Sequence, residues 1–400
     1  MKFTKLSLVA ALAVSAAFAG GDIEPVAAPV VAEFPQTTVS GKITGYYYTD
    51  DSGKNQTPSY DMFDKDWSQL GLAATLDVSH KFTENIAMNF GAVGFLNTNR
   101  DSLAMTFEND DNGAFINVAN ITATFMDTTF VLGRQLLDTP MLGGFDWLLA
   151  PGSFEAYTAV NSSIENLTLV GSYVRTWRPN NTGDNFINLT NLDDGNNWTL
   201  GAAYDNKTIS GSVWYYNVDA GAYAGNGVDK YGQVYVDAGY DFNVVKVVAQ
   251  YVNTNYDIAN DSNAYGIKGT ATFGNFNLMA AYDMVDDNVV GYVGRDGLYT
   301  SSWNTLGLSQ GDTFKVEAGT EFAGIVASVS YAYYEYEQYA TATEDADGQE
   351  IDVILGYDLK DSGFGLLSAF DLNLVYTNTN YGGIDSDDVN ALEVYANYKF

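Results

Sequence analysis

Charged side chains gather around one apolar stretch of the chain. Arg134 precedes this stretch, Asp138 and Asp146 lie within it, and Glu155 follows it. Acidic and basic groups that oppose each other across a narrow space create a transverse electric field, which acts on ions and polar solutes there. We predict that these four residues line a constriction. Arg134 shares the odd-even parity of Leu132 and therefore also fits a position at a membrane interface.

The sequence shows no comparable cluster of candidate catalytic residues. The chain contains no cysteine and one histidine, His80, which ends a strand-like segment beside a short turn. Triads that depend on histidine or on a thiol therefore have no candidate set. Carboxylates are so frequent, with 50 Asp and Glu in total, that a neighbouring pair does not indicate an active site. The residues predict a protein that is not an enzyme and that needs no cofactor.

Other charged residues alternate with aliphatic ones along short segments; Lys246, for example, lies between Val245 and Val247. Successive side chains of a strand point to opposite faces, so such segments have one ionic and one aliphatic face. A cation on the lipid side at mid-membrane costs about 2 to 4 kcal/mol, so we predict that the ionic face lines a water-filled lumen. The predicted lumen-facing residues are Lys42, Asp237, Lys246, Lys268, Lys315, Glu317, Asp352 and Glu393.

The elements that hold these charges are predicted to be strands. From Val39 onward, alternating segments are separated in turn by a tight connection and by a long polar one. There are about 18 such segments, and an even number with short periplasmic turns and long external loops is typical of bacterial barrels. Aromatic residues group at both ends of the segments, as in the girdles at the two bilayer interfaces. The predicted fold class is all-β, a transmembrane antiparallel β-barrel.

The first residues resemble a targeting segment. Residues 1–19 contain two lysines, an apolar run and a final Ala-Phe-Ala, which is typical of a secretory signal peptide and too short to span a bilayer. Residues 20–38 hold three prolines and no alternation, and we interpret them as a periplasmic leader. The barrel domain is then predicted to occupy residues 39–400.

The last segment, Val389 to Phe400, alternates throughout and stops on an aromatic residue. Its length matches a tilted membrane strand, which needs about 9 to 11 residues, although a soluble β-sandwich could end in the same way. The terminal Phe400 resembles the closing residue of outer-membrane barrels, which the barrel assembly machinery recognises.

The apolar stretch from Leu136 to Ser153 is unusual for an external loop, because Met141, Phe145 and Trp147 favour packing over solvent. We predict that this third external loop folds inward and narrows the pore. An external cap, or a patch that contacts a neighbouring subunit, is the alternative.

A family resemblance rests on these residues. The signal segment, the strand number, Phe400 and residues 133–157, GRQLLDTPMLGGFDWLLAPGSFEAY, resemble the porins of the Campylobacter major outer membrane protein type. The same segment is similar to substrate-specific porins of the Pseudomonas OprD type. The resemblance implies a homotrimeric, cation-preferring diffusion channel in the bacterial outer membrane, in contact with lipid and lipopolysaccharide. Arginines are few, whereas OprD-type porins carry an arginine ladder: this chain has Arg100, Arg134, Arg175, Arg178 and Arg295.

The net charge of the chain limits the kinds of partner that it can bind. A net charge of −32 disfavours nucleic acid, because such binding depends on cationic contacts to phosphate. Acidic residues at a narrow mouth concentrate cations, which predicts a cation-preferring channel for ions and small hydrophilic solutes. Acidic loop tips at 344–348 and 385–388 offer oxygen ligands for calcium, but the first lacks the full spacing of an EF-hand and acidic loop tips are usually solvated. The alternative function is that of a surface structural protein or adhesin, which the barrel would anchor and which would bind its target through the long loops at 178–197 and 285–312.

Overall fold

The computed structural model describes residues 34–97, 112–144, 148–180, 187–188, 196–219, 230–336, 346–359, 370–382 and 388–400. The predicted signal peptide, most of the predicted leader and Asp146 lie outside these residues. No helix within the described ranges is long and apolar enough to cross a membrane.

Among the described residues, strands make up nearly all of the regular structure, together with one 3-10 helix, Lys65–Trp67. The strands are β1 (Gln36–Asp50), β2 (Ser68–Lys81), β3 (Ile86–Asn97), β4 (Asn112–Phe125), β5 (Thr128–Gln135), β6 (Ser153–Ile164), β7 (Leu167–Arg178), β8 (Ile187–Asn188), β9 (Asn197–Asp205), β10 (Ile209–Val218), β11 (Tyr231–Asp241), β12 (Val245–Tyr256), β13 (Ser262–Phe273), β14 (Phe276–Asp286), β15 (Gly311–Phe322), β16 (Ile325–Tyr336), β17 (Ala346–Asp358), β18 (Phe370–Asn380) and β19 (Val389–Lys399).

The sheet closes on itself. Each long strand pairs antiparallel with the next, β7 pairs directly with β9, and β1 pairs with both β2 and β19. The backbones of Gly41 and Phe400 exchange two hydrogen bonds at this closure. The short β8 lies beside β7 and is not part of the cycle. The result is a closed 18-stranded antiparallel barrel, which confirms the predicted fold class and strand number.

Residues with positive φ angles, in the left-handed conformation, lie in the tight turns. Asn166, Asn243 and Gly274 have φ angles of 60°, 74° and 60°. Turns with positive φ match the right-handed twist of the strands they join, and asparagine and glycine adopt this conformation at low cost. Short connections therefore alternate with long loops around the barrel, as predicted.

The two faces of the wall differ in character. In β2, Leu70, Leu72 and Leu76 are exposed, whereas Gln69, Gly71 and Ala73, on the other face, are buried. Other strands expose aliphatic and aromatic side chains in the same way, and soluble monomers rarely present a continuous apolar surface of this size. We call the exposed apolar parity the outer parity and the other the inner parity.

The start of β1 differs from the predicted one. β1 begins at Gln36, so the last residues of the predicted leader belong to the barrel. The reason is a partner across the sheet: Gln36 lies opposite Lys81, and Thr37 Oγ1 hydrogen-bonds His80 Nδ1 at 2.8 Å.

Candidate functional site

The third long loop, residues 136–152, packs against the wall with its apolar side chains. Met141 and Leu142 are buried in one cluster with Trp214 and Tyr216 of β10. The backbone N–H of Met141 donates to the hydroxyl of Tyr216, 3.3 Å away. Tyr216 belongs to the inner parity of β10, since it alternates with exposed residues. This part of the loop therefore contacts the inner parity of the wall.

The end of the same loop packs against another arc of the barrel. Leu148 and Leu149 are buried in a cluster with Tyr46 of β1 and Tyr395 of β19. The carbonyl of Pro151 accepts hydrogen bonds from side chains of β4 and β7, including Asn117 Nδ2 at 3.1 Å. Phe145, Asp146 and Trp147 lie outside the described residues.

The seventh long loop, residues 287–310, also packs against the wall with apolar side chains, and this packing was not predicted. Val290, Val293, Leu298 and Leu308 belong to the same cluster as Met141. The sequence contained a signal for this, because residues 287–310 include three valines and three leucines. Side chains that avoid solvent in a long loop indicate packing against the wall in both cases.

Polar contacts attach the seventh loop to several strands. Thr300 donates through its N–H and hydroxyl to Asp283 of β14, at 2.7 and 2.9 Å. The N–H of Asn304 donates to Glu350 of β17, at 2.8 Å. Asp283, Thr300 and Glu350 are buried, so a lost bond would leave a buried polar atom without a partner.

Two predicted lumen-facing lysines contact the same loop. Lys315 donates from Nζ to the carbonyl of Ser301, at 2.8 Å. The Lys268 ammonium lies 3.9 Å from the ring centroid of Tyr299, a cation–π geometry. The loop is therefore held by both acidic and basic groups of the wall.

All eight predicted lumen-facing residues have the inner parity of their strands. Among them Glu393 accepts a hydrogen bond from Trp303 Nε1 at 2.7 Å, and Asp352 accepts one from Ser330 at 2.9 Å. Ser212 donates to Asp237. Lys42, Lys246 and Glu317 are partly exposed on the inner parity.

Burial of the inner parity changes along the barrel axis. In β15, Gly311, Thr313 and Lys315 near the long loops are buried, whereas Glu317 and Gly319 toward the short turn are partly exposed. In β12 the same change occurs between Val248 and Lys246. The inner face is covered near the long loops and accessible to solvent near the short turns.

The four charged residues around the third loop have different surroundings. Asp138 forms an ion pair with Arg295 of the seventh loop. Arg134 and Glu155 lie opposite each other in β5 and β6, on the outer parity, and Arg134 donates to the carbonyl of Ile116.

Glu155 is paired on the outer parity. It forms an ion pair with Arg175 at 3.1 Å. The structure thus places Asp138 at the contact between two loops and places Glu155 on the outer parity. The sequence grouped these residues by their order along the chain, and side-chain parity separates them.

Burial affects the acidic groups of the loops. It raises the pKa of Asp138, and the Arg295 guanidinium partly offsets this by favouring the charged form. Burial also raises the pKa of Asp296, against the effect of hydrogen bonds from Ser301 and Leu298.

Carboxylates outnumber cations among the buried groups. Within the described residues, the buried acidic side chains are Asp50, Asp283, Asp296, Glu350, Asp352, Asp371 and Glu393, and the buried basic ones are Arg178 and Lys315.

In the part of the chain that is described, no group of three or more His, Asp or Glu residues is placed to hold a metal ion. Two acidic loop tips were considered for calcium. Most of their residues, including Glu344, Asp345 and Asp385, lie outside the described residues.

A closed 18-stranded antiparallel barrel with an apolar outer face and charged groups on its inner parity defines an outer-membrane porin. Residues 1–365 match the family described as Campylobacter major outer membrane protein, and the chain belongs to that family. It is accordingly a channel protein of the bacterial outer membrane and not an enzyme.

Solved porin structures share this fold at low sequence identity. The BenF-like porin from Pseudomonas fluorescens Pf-5 is 15% identical with a TM-score of 0.75, covering 91% of this chain and 98% of that chain. OccK3 (OpdO) of Pseudomonas aeruginosa is 14% identical with a TM-score of 0.73, covering 91% and 95%. OpdK of Pseudomonas aeruginosa, solved with vanillate, is 14% identical with a TM-score of 0.74, covering 91% and 98%. No curated protein sequence matches the chain.

Proposed function

We propose that this porin is a water-filled channel for passive diffusion of ions and small hydrophilic solutes, with a preference for cations. The observation that supports the preference most is the excess of buried carboxylates over buried cations. Negative groups in a narrow region with low-dielectric walls concentrate the field and raise the local concentration of cations.

The constriction in this proposal lies where the third and seventh loops pack on the inner parity. Asp138 and Arg295 supply opposed charges there. Arg134 and Glu155, on the outer parity, are left out of it, and Asp146 remains a candidate. Water would reach this region from the short-turn side, where Lys42, Lys246 and Glu317 are partly exposed.

A substrate-specific porin is the second candidate. The structural likeness to OpdK with vanillate suggests it, and Lys268 and Lys315 are two of the inner-parity cations that an anionic solute would meet. Both lysines are already engaged by the seventh loop, which favours the general channel.

The zero-current potential of the purified protein in a planar bilayer, measured across a salt gradient, tests the preference. The sign is expected to be that of a cation-preferring channel. The preference should weaken as the screening length falls from about 10 Å at 0.1 M to about 3 Å at 1 M. An anion-preferring sign would contradict the electrostatic argument and favour the second candidate, while inserted protein that carries no current would favour an adhesin.

The homotrimer, the recognition of the last strand by the barrel assembly machinery and the contact with lipopolysaccharide remain predictions. The apolar outer parity supports a lipid contact around the barrel.

A further inference from the structure

We propose that the ion pair between Asp138 and Arg295 latches the third loop to the seventh, so that the two loops form one constriction, with Arg295 as its positioning residue. This inference rests on the proposed channel function, because it concerns the width of the conducting path. Asp138 and Arg295 are 157 positions apart in the chain and belong to loops that leave different strands.

The ion pair is accompanied by backbone contacts between the loops. The N–H of Gly143 donates to the carbonyl of Val293, and the N–H of Val293 donates to the carbonyl of Met141, both at 3.0 Å. Leu142 and Val293 form a parallel bridge, and both side chains are completely buried. We call the contacts of residues 138–143 with residues 293–297 the loop junction.

Close approach at the loop junction depends on glycine. Gly294 has a φ of 73°, and a Cβ there would overlap the carbonyl oxygen of Gly143. A Cβ on Gly297 would lie 2.8 Å from the carbonyl oxygen of Pro140. The seventh loop therefore presents its backbone to the third loop at a distance that side chains would prevent.

The two loops are attached to different arcs of the wall. The third loop contacts Tyr216 of β10 and Asn117 of β4, whereas the seventh contacts Glu350 of β17 and Glu393 of β19. The loop junction is the place where these attachments meet. An ion pair there restrains each loop through the other, because neither can shift without separating the two charges.

The side chains of Asp138 and Arg295 are 11% and 36% exposed, so the pair is partly shielded from solvent. Shielding reduces the screening that makes fully exposed pairs ineffective. Removing one partner leaves the other charge partly buried and unpaired, which favours movement of the loop toward water.

Single-channel recording of the full-length protein tests this. Arg295→Ala and Asp138→Ala are each expected to increase the mean conductance and the noise of the open state. The double variant Asp138→Arg with Arg295→Asp restores opposed charges and should return both quantities toward wild type. Arg175→Ala, which breaks the outer-parity pair with Glu155, is the matched control and should leave the conductance unchanged.

A disulfide gives an independent test, because the natural chain has no cysteine. Leu142 and Val293 are bridge partners, and neighbouring strands lie about 4.8 Å apart, within the Cα spacing that disulfides accept. Leu142→Cys with Val293→Cys, oxidised in the Arg295→Ala background, should restore the wild-type conductance, and reduction should reverse this.

Wild-type conductance and noise in both alanine variants would overturn the latch, as would an oxidised disulfide that leaves the raised conductance of Arg295→Ala unchanged. Either result is compatible with a working channel. Failure of the channel function itself would instead appear as wild-type protein that inserts without conducting.

Discussion

Trp303 of the seventh long loop donates from Nε1 to the buried carboxylate of Glu393 in β19, across 2.7 Å. The two residues are 90 positions apart, and one belongs to a loop while the other belongs to the strand that closes the barrel. Tyr395 donates to the second oxygen of the same carboxylate. A loop that begins at the end of β14 is thereby held against the strand that closes the barrel.

Loss of this hydrogen bond should loosen the seventh loop. Trp303→Phe keeps an aromatic ring but removes the N–H, and a hydrogen bond to a charged group contributes about 1.5 to 3 kcal/mol. We expect faster cleavage within residues 287–310 when protease is added to the detergent-solubilised protein. Trp198→Phe, in the wall at β9, is the control, and equal cleavage rates in the two variants would contradict the prediction.

Removal of the Glu393 charge should reduce cation preference. Glu393→Gln keeps the size of the side chain but deletes one negative charge on the covered inner face. The zero-current potential across a salt gradient should fall, most clearly at low salt, where screening is weakest. Glu155→Gln makes the same charge change on the outer parity and should leave the potential unchanged; an equal fall in both variants would mean that position does not matter.

Gly294→Ala should separate the two loops. Alanine is strained at positive φ, and its Cβ would also overlap the Gly143 carbonyl oxygen. Gly274 in a tight turn also has positive φ, at 60°, but a Cβ there meets no atom within 4 Å. Conductance and noise should therefore rise in Gly294→Ala and stay at wild-type values in Gly274→Ala. An equal rise of conductance and noise in both variants would show that backbone strain alone causes the change.

The stability of the seventh loop should depend on pH through Asp296. Burial raises the pKa of this carboxyl in the folded protein above the unfolded value of about 3.9, so the folded state binds the proton more readily. The contribution of Asp296 to stability is then fully present below the unfolded pKa and is lost as pH rises through the raised folded value.

Asp296→Asn removes this titration. The difference in unfolding temperature between wild type and Asp296→Asn should become less favourable to wild type as pH rises through that range. Asp257→Asn at an exposed loop position is the control. A difference that is constant with pH would show that Asp296 does not titrate in this way.

Much of the barrel was predictable because its signals are local. The exposed Leu70, Leu72 and Leu76 of β2 occupy the face that the alternation predicted, and Asn243 and Gly274 mark tight turns. Each of these depends on residues within a few positions of one another.

The candidate site was only partly predictable. Asp138 was singled out, but its partner Arg295 was noted only among the few arginines, and Glu155 was grouped with it although it pairs with Arg175 on the outer parity. Nearness along the chain indicated which segment matters. It did not indicate which charges share a side of the wall.

By itself the sequence determined the strands, their number and the sorting of apolar and ionic side chains onto two faces, because a strand repeats every two residues and its faces meet different surroundings. Only the tertiary structure decided that residues 287–310 pack against residues 136–144 and that Asp138 meets Arg295. Closure of the barrel brings together loops that are far apart in the chain, and contacts of that kind leave no periodic signal in the sequence.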